Sequence, residues 1–195
     1  MRAFIAIGSN IDPAANVRLA VRSLARQLRI SAISMVYRTD ALERPVAPAR
    51  PGALGHAAQP PYYNCVVEIE TGLAPLALKQ GILRPIEASL GRIRGGDKFA
   101  PRTIDLDLIV YGELVMDEGG LKLPDPDILE RPFLAIPLWE LAPELVLAGS
   151  GRRIAEIASG MPQGGMQPLK DYARQLQEES GCLRAGAEPA RQAVK

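Results

Sequence analysis

The sequence predicts an α+β fold: a ferredoxin-like β-α-β-β-α-β core whose mainly antiparallel sheet has helices packed on it. Three observations lead there. Short apolar segments with strand-like patterning occur at Arg2 to Gly8, Ile30 to Arg38, Tyr63 to Thr71 and Ile104 to Val110. Two further segments repeat their apolar residues at helical spacing, and the order along the chain is strand, helix, strand, strand, helix, strand. With 195 residues and 47% hydrophobic content, the chain can bury one good core.

The first strand ends at the turn Gly8-Ser9-Asn10. Asp12-Pro13 then supplies an N-cap and a first-turn proline, and Val17, Ala20, Val21, Leu24 and Leu28 mark helix one. After the second strand, Asp40 to Pro61 forms a long loop carrying Pro45, Pro48, Pro51, Pro60 and Pro61, a functional lid or a partly disordered segment. The third strand alternates Cys65, Val67 and Ile69. Helix two opens at Ala74-Pro75 and places Leu78, Ile82, Ile86 and Leu90 every four residues. Beyond the fourth strand, Tyr111-Gly112-Glu113 turns into Leu114 to Met116, Leu121 to Leu123 reads as a short strand, and Arg131 to Leu141 as a third helix with Pro132 in its first turn. Residues 1–163 are expected to form one domain. Residues 164–195 are expected to be a polar C-terminal extension, partly helical at Gln167 to Glu179 and loose after Ser180.

The net charge is +1, so no global basic field draws nucleic acid, and a small anionic ligand must be held by local clusters. No apolar run approaches the ~20 residues of a membrane span, and none resembles a signal segment, so a cytoplasmic protein with no membrane partner is expected, monomeric or weakly homodimeric. Cys65 and Cys182 read as unrelated reduced thiols. The single histidine, His56, lies in the long loop, which argues against zinc chemistry and a histidine-based triad.

The most informative segment is Pro101-Arg102-Thr103-Ile104-Asp105-Leu106-Asp107-Leu108-Ile109-Val110. Strand side chains alternate, so Asp105 and Asp107 share one face, while Ile104, Leu106, Leu108 and Val110 are expected on the buried opposite face. Two like charges so close together in a strand are unfavourable, and a counter-cation removes the conflict. Upstream, Arg92, Arg94, Lys98 and Arg102 stand on a Gly-rich stretch. Cations running into paired carboxylates describe a polyphosphate chelated by divalent metal. There is no G-x-x-x-x-G-K-[ST] loop, no G-x-G-x-x-G after a strand and no kinase catalytic loop.

Several segments then agree, in order, with one family. They are Phe4-Ile5-Ala6-Ile7-Gly8-Ser9-Asn10, Tyr37-Arg38-Thr39, Tyr62-Tyr63-Asn64, Ile86-Glu87 leading to Gly91-Arg92-Ile93-Arg94, and Pro101 to Asp107, followed by Pro124, Arg131-Pro132-Phe133 and Ala142-Pro143-Glu144-Leu145. Over roughly residues 1–160 the chain resembles 6-hydroxymethyl-7,8-dihydropterin pyrophosphokinase, the folate-pathway enzyme that moves the β,γ-diphosphate of ATP to a pterin alcohol.

The resemblance implies ATP as co-substrate and two magnesium ions held by Asp105 and Asp107, with Arg92 and Arg102 completing the catalytic set. It implies ATP contacts from Glu87, Arg92, Arg94, Lys98, Arg102, Leu108 and Arg131. For the pterin it implies Thr39, Leu42, Tyr62, Asn64, Phe99 and Phe133: the Asn64 amide reads the ring's hydrogen-bonding edge and Phe133 stacks on it. The chain departs from the family at Asp125, where a histidine meets the triphosphate, at Arg84 in place of glutamine, and at Asp40 in place of proline. Two other readings follow from these departures: a paralogue acting on a different pterin alcohol, and a catalytically weak protein that binds nucleotide or pterin.

Overall fold

A computed structural model describes residues 1–41, 59–93, 100–162 and 164–182. Leu42, His56, Arg94, Lys98 and Phe99 lie outside the described residues. Helices and an antiparallel sheet form the fold, as expected. The main sheet contains β1 (Arg2–Ser9), β2 (Arg29–Ile33), β3 (Tyr37–Thr39), β4 (Tyr62–Glu70), β5 (Asp105–Tyr111) and β8 (Met166–Pro168). Strand β1 lies between β5 and β4, and the strand pairings among the described residues of the sheet are antiparallel. A small ribbon pairs β6 (Met116–Glu118) with β7 (Leu121–Leu123).

The second strand differs from expectation. Instead of running unbroken from Ile30 to Arg38, it divides into β2 and β3, which pair with opposite halves of β4. Side chains take over the hydrogen bonding at the break. The Ser34 hydroxyl accepts from the Val66 N–H at 2.9 Å and donates to Met35 O, while Met35 N–H donates to Glu140 Oε2 at 2.8 Å. Glu140 also accepts from the Tyr37 hydroxyl. Backbone groups that leave a ladder inside a protein must find such partners.

Two apolar layers flank the sheet. On one face, α1 (Pro13–Ala25), α2 (Pro75–Leu78), α3 (Arg84–Ser89) and α6 (Lys170–Glu179) cover Ile5, Ile7, Cys65, Val67, Ile69, Leu106 and Leu108. On the other, α4 (Pro132–Leu141) and α5 (Ile154–Ser159) cover Phe4, Ala6, Val66, Ile109 and Val110. Asp12 stands at the α1 N-cap as expected, but its backbone is left-handed and its side chain makes no cap bond. Helix two is not uniform: α2 and α3 are joined by a π-turn over Lys79–Leu83. Pro85 has no N–H to give to the carbonyl of Gly81, and a wider turn accommodates that missing bond.

Strand β5 also carries a correction. Phe4 pairs with Val110 and Ile5 with Leu108, so Ile109 is an extra residue in a bulge. Leu106 and Leu108 pack on the α1 side, whereas Val110 packs with Ile109 on the α4 side. The expected common face for Leu106, Leu108 and Val110 therefore ends at the bulge, where alternation loses its phase.

The segment after residue 163 contributes strand β8, which borders β3, and helix α6, whose Ala173 and Leu176 enter the core. Tyr172 donates to Ala14 O at 2.6 Å, and Gln177 to Ile33 O at 2.8 Å. Cys65 and Cys182 are both buried free thiols, and burial raises the Cys65 pKa to about 12. Among the described residues, no helix is long and apolar enough to cross a membrane.

Candidate active site

Register places the predicted residues in a row across the sheet. Gly8, at the end of β1, stands opposite Asn64 on one side and Asp105 on the other, and Ala6 stands opposite Asp107. Tyr37 and Thr39 pair with Asn64 and Tyr62. Alternation from Ala6, Val66 and Ile109, which lie beneath α4, puts Tyr62, Asn64, Gly8, Asp105 and Asp107 on that same face. The start of α4 brings Arg131, its N-cap residue, and Phe133, which packs against the same layer.

The backbone around Arg102 is anchored to the Gly8-Ser9-Asn10 turn. Arg102 N–H donates to Asn10 Oδ1 at 2.6 Å, and Arg102 O accepts from the N–H groups of Asn10 and Ile11. Ser9 Oγ donates to Thr103 O at 2.6 Å. Conformational freedom matters at Gly91, whose φ of 77° turns the chain as it leaves α3. Arg92 then reaches the end of β5: its Nη1 donates to Ile104 O at 2.6 Å and lies 2.9 Å from Asp105 Oδ1. Arg102 holds the other Asp105 oxygen. Burial alone lowers the Arg102 pKa, but Asp105 more than offsets this and the net shift is upward.

Asp107 has a different environment. It reaches solvent, yet protein crowds it on its other sides. Burial first, then Asp105, Asp125 and Glu87, raise its pKa to about 7, with Lys79 acting in the opposite direction. A carboxylate so disfavoured as an anion, open to solvent and one residue from Asp105, suits a hard cation bound through oxygen. Among the described residues, no three His, Cys, Asp or Glu side chains converge as a metal cage. Two carboxylates that leave most coordination positions to substrate and water fit magnesium, which dehydrates reluctantly.

Glu87 and Leu108 are placed differently from surface ligands. Glu87 is 1% exposed, and its Oε1 accepts from the Leu106 N–H at 3.0 Å, between the two aspartates. Its carboxylate thus supports the metal-candidate strand from within. Leu108 points into the α1-side core, so only its backbone can meet a ligand. Glu87→Ala is expected to cost about 2–3 kcal/mol, because it leaves a buried N–H short of its acceptor and opens a cavity; denaturant unfolding measures it.

At the other end of the row, Asn64 Nδ2 donates to Thr39 Oγ1 at 2.8 Å, and its Oδ1 lies above Gly8. A Cβ on Gly8 would sit 3.0 Å from that oxygen. Gly8→Ala is therefore expected to displace the Asn64 amide by a few tenths of an ångström and raise about three- to tenfold the KM of a substrate read by that amide, with little loss of stability, as read by steady-state kinetics beside a thermal melt. Tyr62 bridges the two halves of the row. Its pKa is raised by burial, with Arg102 and Arg92 lowering it and Asp105 raising it.

Asp125 serves as a cap while its charge still weighs on Asp107. One of its oxygens accepts from the Asp127 N–H at 2.9 Å and caps the 3₁₀ turn Pro126–Leu129. Burial still raises its pKa, and Lys79 partly offsets that. Arg131 faces Asp127, with Nε 3.7 Å from the carboxylate. Sequence reasoning missed Lys79, because only the π-turn, packed against β5, brings this position toward the carboxylates; its Nζ donates to Gly120 O at 2.7 Å.

Comparison with known proteins gives the family. Residues 4–143 match the family described as 7,8-dihydro-6-hydroxymethylpterin-pyrophosphokinase (HPPK). A Pseudomonas aeruginosa protein named 2-amino-4-hydroxy-6-hydroxymethyldihydropteridine pyrophosphokinase is 34% identical over 171 residues, covering 86% of this chain and 96% of that protein. One of the same name from Methylorubrum extorquens is 37% identical over 157 residues, covering 79% and 90%. A solved Plasmodium falciparum HPPK-DHPS chain aligns over 91% of this chain with a TM-score of 0.58 at 12% identity. That likeness concerns the fold, and this chain spans only 46% of its length.

Proposed function

Because the chain belongs to the 7,8-dihydro-6-hydroxymethylpterin-pyrophosphokinase family, we infer that it transfers the β,γ-diphosphate of ATP to the hydroxymethyl group of 6-hydroxymethyl-7,8-dihydropterin, giving AMP and the pterin diphosphate. The observation that carries this reading is the cross-strand row Asn64, Gly8, Asp105. A hydrogen-bonding amide and a carboxylate flank a residue with no side chain, so a flat heterocycle read by Asn64 can extend its alcohol over Gly8 toward the phosphates beside Asp105.

In this reading Asn64 and Tyr62 fix the pterin, with Thr39 orienting the Asn64 amide and Phe133 offering a stacking face. Leu42 and Phe99 belong to the same proposal as substrate contacts. Arg92 and Arg102 supply the fork donors that match phosphate oxygens, and Arg94, Lys98, Arg131 and the Leu108 backbone complete the nucleotide contacts. Asp105 and Asp107 would hold two magnesium ions, whose charge would neutralise phosphate oxygens; the alcohol oxygen bonds to the β-phosphorus as its proton passes to solvent and the bond from that phosphorus to AMP breaks. No side-chain nucleophile is required, because positioning and charge neutralisation provide the acceleration. The finer fold assignment, a ferredoxin-like core, is supported by the order β5-β1-β4 with β2 on the far edge of β4, each pair antiparallel.

The test is incubation with ATP, magnesium and 6-hydroxymethyl-7,8-dihydropterin, followed by phosphorus NMR and chromatography. AMP and a pterin diphosphate are expected in equal amounts. ADP as product would overturn the diphosphoryl reading, and AMP release only with another pterin would reassign the acceptor.

A further inference from the structure

The two aspartates of β5 are unequal before any ligand arrives. Asp105 is held on both oxygens, by Arg92 at 2.9 Å and by Arg102. All three side chains are largely covered, at 17%, 11% and 28% exposure, so solvent screens the pairing far less than it would at a free surface. Arg92 is fixed further by Ile104 O, and the Arg102 backbone by Asn10. Asp107 has solvent access.

We propose that Arg92 and Arg102 form a latch on Asp105, so that the ligand-free chain offers a divalent cation only Asp107, and that a nucleoside triphosphate opens the second cation position by drawing the guanidiniums to its own oxygens. This rests on the diphosphoryl-transfer reading of the same site and adds an order to it. A cation that sought Asp105 first would have to break two charge-assisted contacts and leave two guanidiniums facing its own positive charge. A triphosphate reverses that balance, because it supplies the anionic oxygens that the arginines give up. Nucleotide and second cation therefore bind with positive coupling, and each raises the affinity of the other by the same factor.

The test uses Mn2+ as the probe on the full chain, with free ion followed by electron paramagnetic resonance and affinity by calorimetry. The wild-type chain is expected to bind one Mn2+ without nucleotide, and two when α,β-methylene ATP, whose α–β link cannot be broken by transfer, is added. The double variant Arg92→Gln/Arg102→Gln is expected to bind Mn2+ without nucleotide at least about tenfold more tightly, or to take up a second ion. Lys79→Met removes a cation that acts on Asp107 without touching Asp105, and should change the affinity less than about threefold.

Two tightly held Mn2+ ions on the ligand-free wild type would overturn the latch. So would a double variant no tighter than wild type, or a gain in Lys79→Met equal to that of the double variant. If the double variant fails to fold by circular dichroism, the single Gln variants should each show a smaller gain of several-fold, and no gain in either also overturns it. None of these readouts needs turnover. Absence of AMP formation would refute the reaction while leaving the latch measurable.

Discussion

Asp107→Asn is expected to lower turnover by about 10³-fold or more while leaving the pterin KM within a few-fold of wild type. The amide keeps the shape but removes the anionic oxygen that faces solvent beside Asp105, and preorganised charge is the main source of acceleration in phosphoryl chemistry. AMP release measured under saturating ATP and magnesium checks it, and a variant with full activity would remove Asp107 from the metal site. The same substitution should stabilise the ligand-free fold. Burial and nearby carboxylates raise the folded-state pKa to about 7 from its ordinary 3.8, so ionisation of Asp107 opposes folding. The wild-type penalty is absent below about pH 4, grows as pH rises toward 7 and levels off above it. The Asn variant should therefore be more stable at pH 8, by about 1 kcal/mol once the solvent access of the group is allowed for, with the difference closing at pH 4. Guanidinium unfolding at pH 4, 6 and 8 without divalent cation measures it.

Arg102→Ala is expected to reduce kcat/KM for ATP by about 10²- to 10³-fold, with the pterin KM affected less. Removing a fork donor takes away the proposed phosphate contact and releases one side of Asp105. The fold should tolerate the change, because the local anchor is the backbone: the Arg102 N–H on Asn10 and the Arg102 carbonyl shared by Asn10 and Ile11. Arg102→Lys should recover only part of the activity, since an ammonium keeps the charge and loses the planar fork. A melting temperature close to wild type with collapsed ATP kinetics is the expected pattern. Equal loss for ATP and pterin would instead point to a collapsed loop.

Much of this architecture is legible in the sequence because its signals are local. Alternation around Cys65, Val67 and Ile69 marks β4, and the spacing of Val17, Ala20, Val21 and Leu24 marks α1; both enter the core as those patterns require. The Asp-x-Asp spacing places both carboxylates on one face before any coordinates are known. What escaped depends on contacts distant in sequence. The break at Ser34 is sustained by Glu140, more than one hundred positions away, and the β8 pairing with β3 joins Met166–Pro168 to Tyr37–Thr39. The π-turn has a local cause in Pro85, but Leu78, Ile82 and Ile86 keep an ordinary helical spacing that conceals it. At the site, the resemblance marks Glu87 only as an ATP contact, and its role under Leu106 emerges only when α3 packs against the edge of β5. Asp125 looks only repulsive as a letter in a row; in the fold it caps a turn through one oxygen while its charge still disfavours an ionised Asp107.

The bulge at Ile109 has a consequence for how this strand can change over time. Before it, the residues on the α4 side are the charged Asp105 and Asp107, which the proposed reaction needs; after it, they are Ile109 and Val110, which meet a helix. One inserted residue separates the two reading frames, so selection for chemistry at Asp105 and Asp107 does not dictate which positions near Val110 stay apolar. Deleting Ile109 would restore regular pairing, with Val110 opposite Phe4 and Leu108 opposite Ile5; Asp107 and Val110 would keep their common face, and the layer under α4 would lose one apolar side chain.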